Sequence, residues 1–201
     1  MPKILLTGAS GLLGKHLKIE ADRPTHKKLD VTKPILAEDY DLIVHSAAYT
    51  NVQGAETNKN ECFKVNVEGT FNLLLAYPDT PIVYISTEYV SNRLNFYSVT
   101  KHIAEDLLLN RGNCLIIRTL FKPNPWPFDK AFKDQYTQGD YVDVIAPLID
   151  EEIMKWSGTG KRLVYVGTGR KTMLELAQRT KPDVIANSIE DMKVPIPKDY
   201  R

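Results

Sequence analysis

Short, uninterrupted apolar runs alternate with amphipathic stretches along most of this chain. The runs Lys3–Thr7, Asp41–His45, Pro81–Ser86, Cys114–Arg118 and Arg162–Val166 read as strands, and a weak one lies near His26–Leu29. Between them, apolar residues recur at helical spacing over Leu12–Glu20, Cys62–Ala76, Ser98–Leu109, Asp143–Ser157 and Thr172–Arg179. Strands with no polar face need cover on both sides, and the intervening helices supply it. The pattern therefore predicts an α/β fold with a doubly wound parallel sheet. Residues 1–120 form its main body. Residues 121–201 form a reduced C-terminal lobe plus elements returning to the sheet, and not an independent domain. Pro and aromatic residues crowd Phe121–Phe132, which reads as an ordered bridging loop, and Pro195–Arg201 reads as a tail.

In such sheets ligands sit beyond the C-terminal strand ends. The first of those ends carries Thr7-Gly8-Ala9-Ser10-Gly11-Leu12-Leu13-Gly14. Gly8 permits the tight turn, Gly11 lets a pyrophosphate approach the backbone, and Gly14 lets a helix pack closely on the sheet. Free N–H groups at the start of that helix, around Ser10, Leu12 and Leu13, would face phosphates. Between a strand and a helix the triplet reads as a Rossmann-like dinucleotide loop, with a plain glycine turn as the alternative. Asp30-Val31 lies further along. Its acid reads either as an acceptor for a ribose hydroxyl or adenine amine, or as the N-cap of a helix over Thr32–Glu38. Arg23, His26, Lys27 and Lys28 read either as solvated charges or as partners of a 2′-phosphate. The second reading tilts a choice between NADPH and NADH towards NADPH.

Tyr97 and Lys101 stand four residues apart. On a helix that spacing puts both on one face, with about 5–6 Å between Cβ atoms. A nearby ammonium would lower the phenol pKa and prepare it as a general acid towards a ketone. Lys101 could also hold a ribose hydroxyl. Ser86-Thr87, at a strand end, can donate hydroxyl hydrogen bonds to the same carbonyl oxygen.

Composition narrows the partners. Lys and Arg total 26 against 25 Asp and Glu, with no basic run, so neither nucleic acid nor a membrane surface is expected. Met1-Pro2-Lys3 leads straight into Ile4, without a secretory apolar stretch, and a cytoplasmic location is the expectation. Cys62 and Cys114 read as buried reduced thiols. His16, His26, His45 and His102 are scattered, and no metal site is expected.

With these residues in place, the chain resembles the extended short-chain dehydrogenase/reductases, and within them the dTDP-4-dehydrorhamnose reductases. Thr7–Gly14, His45–Glu56, Val65–Thr70 with Asn72, and Ile85–Val90 carry the likeness. Tyr97–Lys101 and Ile117-Arg118-Thr119 follow in family order, then Asp134-Gln135 and Gly139–Val144. The resemblance implies Thr87, Tyr97 and Lys101 as the catalytic trio. It places Ala47, Ala48 and Tyr49 along the cofactor groove and Asn66 as a structural or cofactor-side residue. From the residues alone, Ala47-Ala48 can also be close packing, Asn66 a helix-surface amide, Asp143 a helix start and Arg118 a paired strand-end charge. Glu88 stands where the family usually has Asp. Tyr89 follows it, so the second carboxylate that elimination chemistry would use is missing.

The chain departs from the family in length. Thr87 and Tyr97 are ten residues apart, and Arg118 to Asp134 is also compressed. Both losses trim the substrate side. The resemblance implies reduction of a nucleotide-linked 4-keto-6-deoxysugar, or another small ketone, by NAD(P)H in rhamnose biosynthesis. A homodimer through the helices at 62–76 and 98–109 is the analogy for assembly. A cofactor-binding regulatory subunit and a sugar-nucleotide epimerase are the alternatives.

Overall fold

The computed structural model describes residues 2–200. Strands β1 (Ile4–Thr7) and β2 (Leu42–His45) open the chain. A helical run follows: α1 (Val52–Thr57), α2 (Lys59–Phe63), a π-helical turn (Lys64–Glu68) and α3 (Gly69–Ala76). Next come β3 (Ile82–Thr87), α4 (Phe96–Arg111) and β4 (Cys114–Thr119). The rest of the chain adds β5 (Phe121–Lys122), β6 (Lys130–Phe132), β7 (Tyr136–Thr137), β8 (Asp140–Tyr141), α5 (Val142–Lys155) and β9 (Lys161–Tyr165). It ends with β10 (Lys171–Thr172), α6 (Met173–Gln178) and β11 (Ile185–Asn187).

The main sheet is parallel throughout, in the order β1-β2-β3-β4-β9. Alternate residues feed two cores. Leu6, Val44, Val83, Ile85, Leu115 and Ile117 pack against Ile145, Ile149 and Ile153 of α5. Leu5, Ile43, Ile82, Tyr84 and Ile116 pack against Leu73 of α3 and Leu108 of α4. The sheet is thus covered on both faces, as the apolar runs required. Trp126, Ala131, Tyr141, Met173, Leu176 and Val184 form a separate small core. Around it lie three two-stranded pairings, β10-β7, β11-β6 and β5-β8.

Several expectations are corrected. No helix spans Leu12–Glu20: one turn forms, with Lys15 N–H donating to Gly11 O and Leu17 N–H to Leu13 O. The chain has to be back beside β1 by Asp22, whose N–H and C=O bond Ile4 and Leu6. A helix running to residue 20 would leave no length for that return. The carbonyls freed at Gly14, Leu17 and Ile19 accept from the Arg23 guanidinium at 2.7, 2.8 and 3.0 Å. Arg23 is therefore committed to backbone and not to a phosphate. The weak strand near His26–Leu29 is a turn, and the Asp22 bridge takes its place in the sheet. No helix forms over Thr32–Glu38 either.

The loop at 121–132 contains β5 and β6. The stretch from Pro195 is not a loose tail. Val194 and Ile196 are buried, Pro195 O accepts from Asn95 Nδ2, Pro197 O from Gln135, and Lys198 O from Tyr136 N–H. Among the described residues no helix is long and apolar enough to cross a membrane.

A chain ending at residue 120 should fail to fold. It would lose β9 and the α5 side chains Ile145, Ile149 and Ile153, leaving one face of the sheet bare. Urea unfolding monitored by circular dichroism should show no cooperative transition for that fragment.

Candidate active site

The ends of β1 and β2 come unusually close. Gly8 has φ +70°, and a Cβ there would lie 2.5 Å from Ala47 N. Both conditions require glycine. A buried chain of hydrogen bonds fixes this approach. The Thr70 hydroxyl donates its proton to Asn66 O at 2.8 Å, so it can only accept from His45 Nε2, at 3.2 Å. His45 Nδ1 is then the acceptor for the Thr7 hydroxyl at 2.8 Å, and Thr7 Oγ1 accepts from Ala47 N–H at 3.3 Å. Burial pushes the His45 pKa down to about 3, helped by the charge of Lys101, so the ring stays neutral as this chain demands. Gly14 faces the loop and not the sheet: a Cβ there would meet Gly8 O at 2.4 Å and Ala9 Cα at 2.6 Å.

A cleft of about 580 Å³ opens above this junction. Gly8, Ser10, Gly11, Leu12 and Leu13 line one end, Val31, Ala47 and Ala48 the middle, and Thr87, Tyr97 and Lys101 a wall. The structure thus gathers most of the residues singled out in the sequence. Gly14, Asp30 and Tyr49 are exceptions. The Asp30 carboxylate accepts from Thr32 N–H at 3.0 Å and the Thr32 hydroxyl at 2.7 Å, a local Asx turn where a helix cap was one reading. Its neighbours Leu29, Val31 and Thr32 face the cleft. Tyr49 turns its ring away, packing with Val52 on Ala55, Cys62 and Tyr97, with its hydroxyl over Gly54. Asn66 is buried, not on a helix surface. It accepts from Tyr49 N–H at 2.8 Å and donates to Thr100 Oγ1 at 3.0 Å, tying the cleft floor to α4.

Asn95 caps α4 by accepting from Ser98 N–H at 2.9 Å, and Tyr97 and Lys101 then project one turn apart. The Tyr97 phenol lies beside the Thr87 side chain. Burial raises its pKa, and the Thr87 contact only partly opposes this. The expectation that Lys101 lowers it is therefore corrected: the phenol holds its proton. The Lys101 ammonium instead donates to Ile85 O at 2.7 Å and lies 4.0 Å from the Tyr84 ring centroid. Burial pushes Lys101 itself down to about 7, with Glu105 one turn on opposing the shift. Ser86 is also reassigned. It lines the cleft, but its hydroxyl is engaged by Glu105 of α4, to which it donates at 2.5 Å.

Residues 2–149 match the sequence profile of the family described as the RmlD substrate binding domain. The chain belongs to this family. It is similar to the dTDP-4-dehydrorhamnose reductase of Mycobacterium tuberculosis (strain CDC 1551 / Oshkosh), 35% identical over 101 residues, which are 44% of this chain and 33% of that enzyme. The chain thus spans about a third of the length of this curated relative. Two solved structures share the fold. The dTDP-4-dehydrorhamnose reductase of Clostridium acetobutylicum has a TM-score of 0.82 at 23% identity, covering 98% of this chain and 89% of that one. That of Bacillus anthracis, solved in complex with NADP, has a TM-score of 0.80 at 23% identity, covering 100% and 88%.

In this RmlD-family chain, two buried carboxylates support the wall of the cleft and were not singled out as partners from the sequence. Glu105 of α4 takes Arg118 Nε at 3.1 Å and Nη2 at 2.6 Å besides Ser86, joining α4, β3 and β4. Glu88 follows Thr87 and accepts from the Thr137 hydroxyl at 2.7 Å and Gln138 N–H at 3.3 Å, fixing the lobe to the sheet. Beyond it Asp140 pairs with Lys171 at 3.5 Å and Arg179 at 3.0 Å. Such partners lie far off in sequence, and the sign that could have found them is charge placed within apolar runs.

Burial raises the Glu88 pKa from 4.5 to about 7. Between those values the folded state keeps a proton that the unfolded state has lost, so stability falls as pH rises through that window. Glu88→Gln should remove this loss. Its urea midpoint should gain on the wild type between about pH 4.5 and 7. Parallel midpoint curves for the two proteins would refute the assignment. Gly14→Ala, which forces a Cβ into the loop backbone, should destabilise by about 1–3 kcal/mol in the same assay.

Proposed function

We propose that this protein is an NADPH- or NADH-dependent reductase of a nucleotide-linked 4-keto-6-deoxysugar, as dTDP-4-dehydrorhamnose reductases are, and that it works in the cytoplasm. One observation carries the reading. Tyr97, beside Thr87 and one turn from Lys101, lines the same cleft as the Gly8–Leu13 loop. Family membership and the names of the matching relatives support it.

The residues present fit a dinucleotide. Gly8 and Gly14 leave no room for a Cβ, and the loop between them presents backbone to the cleft. Gly8, Ser10, Gly11, Leu12 and Leu13 would hold the phosphates, Val31 the adenine side, and Ala47 and Ala48 the flat middle. When bound, the nicotinamide would supply hydride to the ketone carbon. Tyr97 would protonate the ketone oxygen, and its raised pKa keeps that proton available at neutral pH. The Thr87 hydroxyl would polarise the same oxygen. Lys101, steered by Ile85 O, would hold a ribose hydroxyl and return charge to the phenol as the proton leaves. His26 lines the cleft and would favour NADPH, since Arg23 is engaged elsewhere.

Only the short turn Glu88–Ser91 and the residues to Asn95 separate Thr87 from α4, so little of this chain covers the reacting centre. A smaller ketone, or a second subunit completing the pocket, answers that shortage. A homodimer through α2–α3 is the form we favour, because Phe63, Phe71 and Leu75 stand exposed there.

Purified protein should oxidise NADPH or NADH when given a nucleotide-4-ketosugar, read by nicotinamide absorbance. Tyr97→Phe should lower kcat by about 10²–10⁴-fold while cofactor affinity stays unchanged. Tight cofactor binding without turnover on any ketone would favour the regulatory-subunit reading.

A further inference from the structure

Lys122 has no role in the chemistry above, yet it lies inside the cleft. It belongs to β5, beside Phe121, which packs on the core that holds Ala9 and Leu13 of the glycine loop. Lys122 lines the cleft together with that loop, and its ammonium lies 5.7 Å from the ring centroid of Phe128. Among the described residues it has neither a carboxylate partner nor a hydrogen bond, while burial disfavours its charged form.

The surroundings show what is missing. The residues lining the cleft include Lys101, Lys122 and His26 but no Asp or Glu. Lys101 is already engaged by Ile85 O. An unpaired ammonium in a partly buried, carboxylate-free cleft is costly unless an anion joins it. The opposite side of the cleft also needs help. The helix that would normally follow a glycine loop is here a single turn, so its dipole contributes little to phosphate binding.

We propose that Lys122 is an anion-binding residue of the cleft, its ammonium taking a phosphate oxygen of a nucleoside diphosphate lying between β5 and the Gly8–Leu13 loop. The inference rests on the reading of the cleft as a nucleotide site. The same chemistry has two sources, the dinucleotide cofactor and the nucleoside diphosphate of the sugar substrate.

Calorimetric titration of wild type and Lys122→Met with NADPH and, separately, with dTDP tests it. Methionine keeps the length and the apolar stem. Lys122→Met should weaken one ligand by about tenfold, the size of a lost charge-assisted hydrogen bond. It should also flatten that ligand's salt dependence, and Lys122→Arg should restore most of the affinity. A loss confined to NADPH assigns the cofactor diphosphate, and one confined to dTDP assigns the substrate. Unliganded Lys122→Met should melt no lower than wild type, so reduced binding is not misfolding. Equal affinities of wild type and variant for both ligands would overturn the role of Lys122. Wild type that binds neither ligand would overturn the nucleotide reading, and this inference with it.

Discussion

The closeness of two strand ends sets the rest of this structure. Because the side chain is missing at Gly8, the backbone after β1 touches the backbone after β2 at Ala47. The neutral His45 then transmits one consistent direction of hydrogen bonding from the loop at Thr7 to Thr70 and on to the π-helical turn. A positive imidazolium would need two acceptors where the chain offers one. The same π-helical turn carries Asn66, which reaches Thr100 on the helix that presents Tyr97 and Lys101. Loop, cleft floor and cleft wall are thereby held in one rigid relation. Catalysis of the proposed kind depends on that relation more than on any single contact.

On the same face of the sheet, Glu105 of α4 does related work. Its carboxylate is enclosed by Ser86 and the fork of Arg118, so α4 is fixed to both central strands. Bidentate pairing suits such burial, because it meets the acceptor capacity that desolvation would leave idle. Ser86 and Thr87 therefore divide the labour of adjacent positions. One braces the helix from below, and the other meets its tyrosine from above.

The main sheet was legible in the sequence because its strands are fully covered and so carry unbroken apolar runs. Lys3–Thr7, Asp41–His45 and Cys114–Arg118 lie within a residue of the observed bounds. The lobe was not legible, since its strands are two or three residues long and show no period. The misread helix at Leu12–Glu20 has an amphipathic pattern but lacks the chain length to return to Asp22. Pattern reports which face is apolar, while geometry decides whether the element fits. For the site, residue type revealed Tyr97, Lys101 and the glycine loop. It could not reveal orientation, and so Tyr49 was placed along a groove from which its ring turns away, and the Ser86 hydroxyl is taken by Glu105. Nor could it show that the phenol sits where burial outweighs the Thr87 contact.

The way residues 194–198 fasten onto the body bears on how the protein is made. Asn95, at the head of the helix that carries Tyr97, takes the carbonyl of Pro195, a hundred residues further on. The central strands can gather while synthesis continues, but their outer member arrives only at 161–165. The contact at the head of that helix waits longer still, until the stretch around Pro195 has left the ribosome. During translation, then, the sheet precedes the fastening of residues 194–198, and a nascent chain can hold its strands before the head of the Tyr97 helix is tied down.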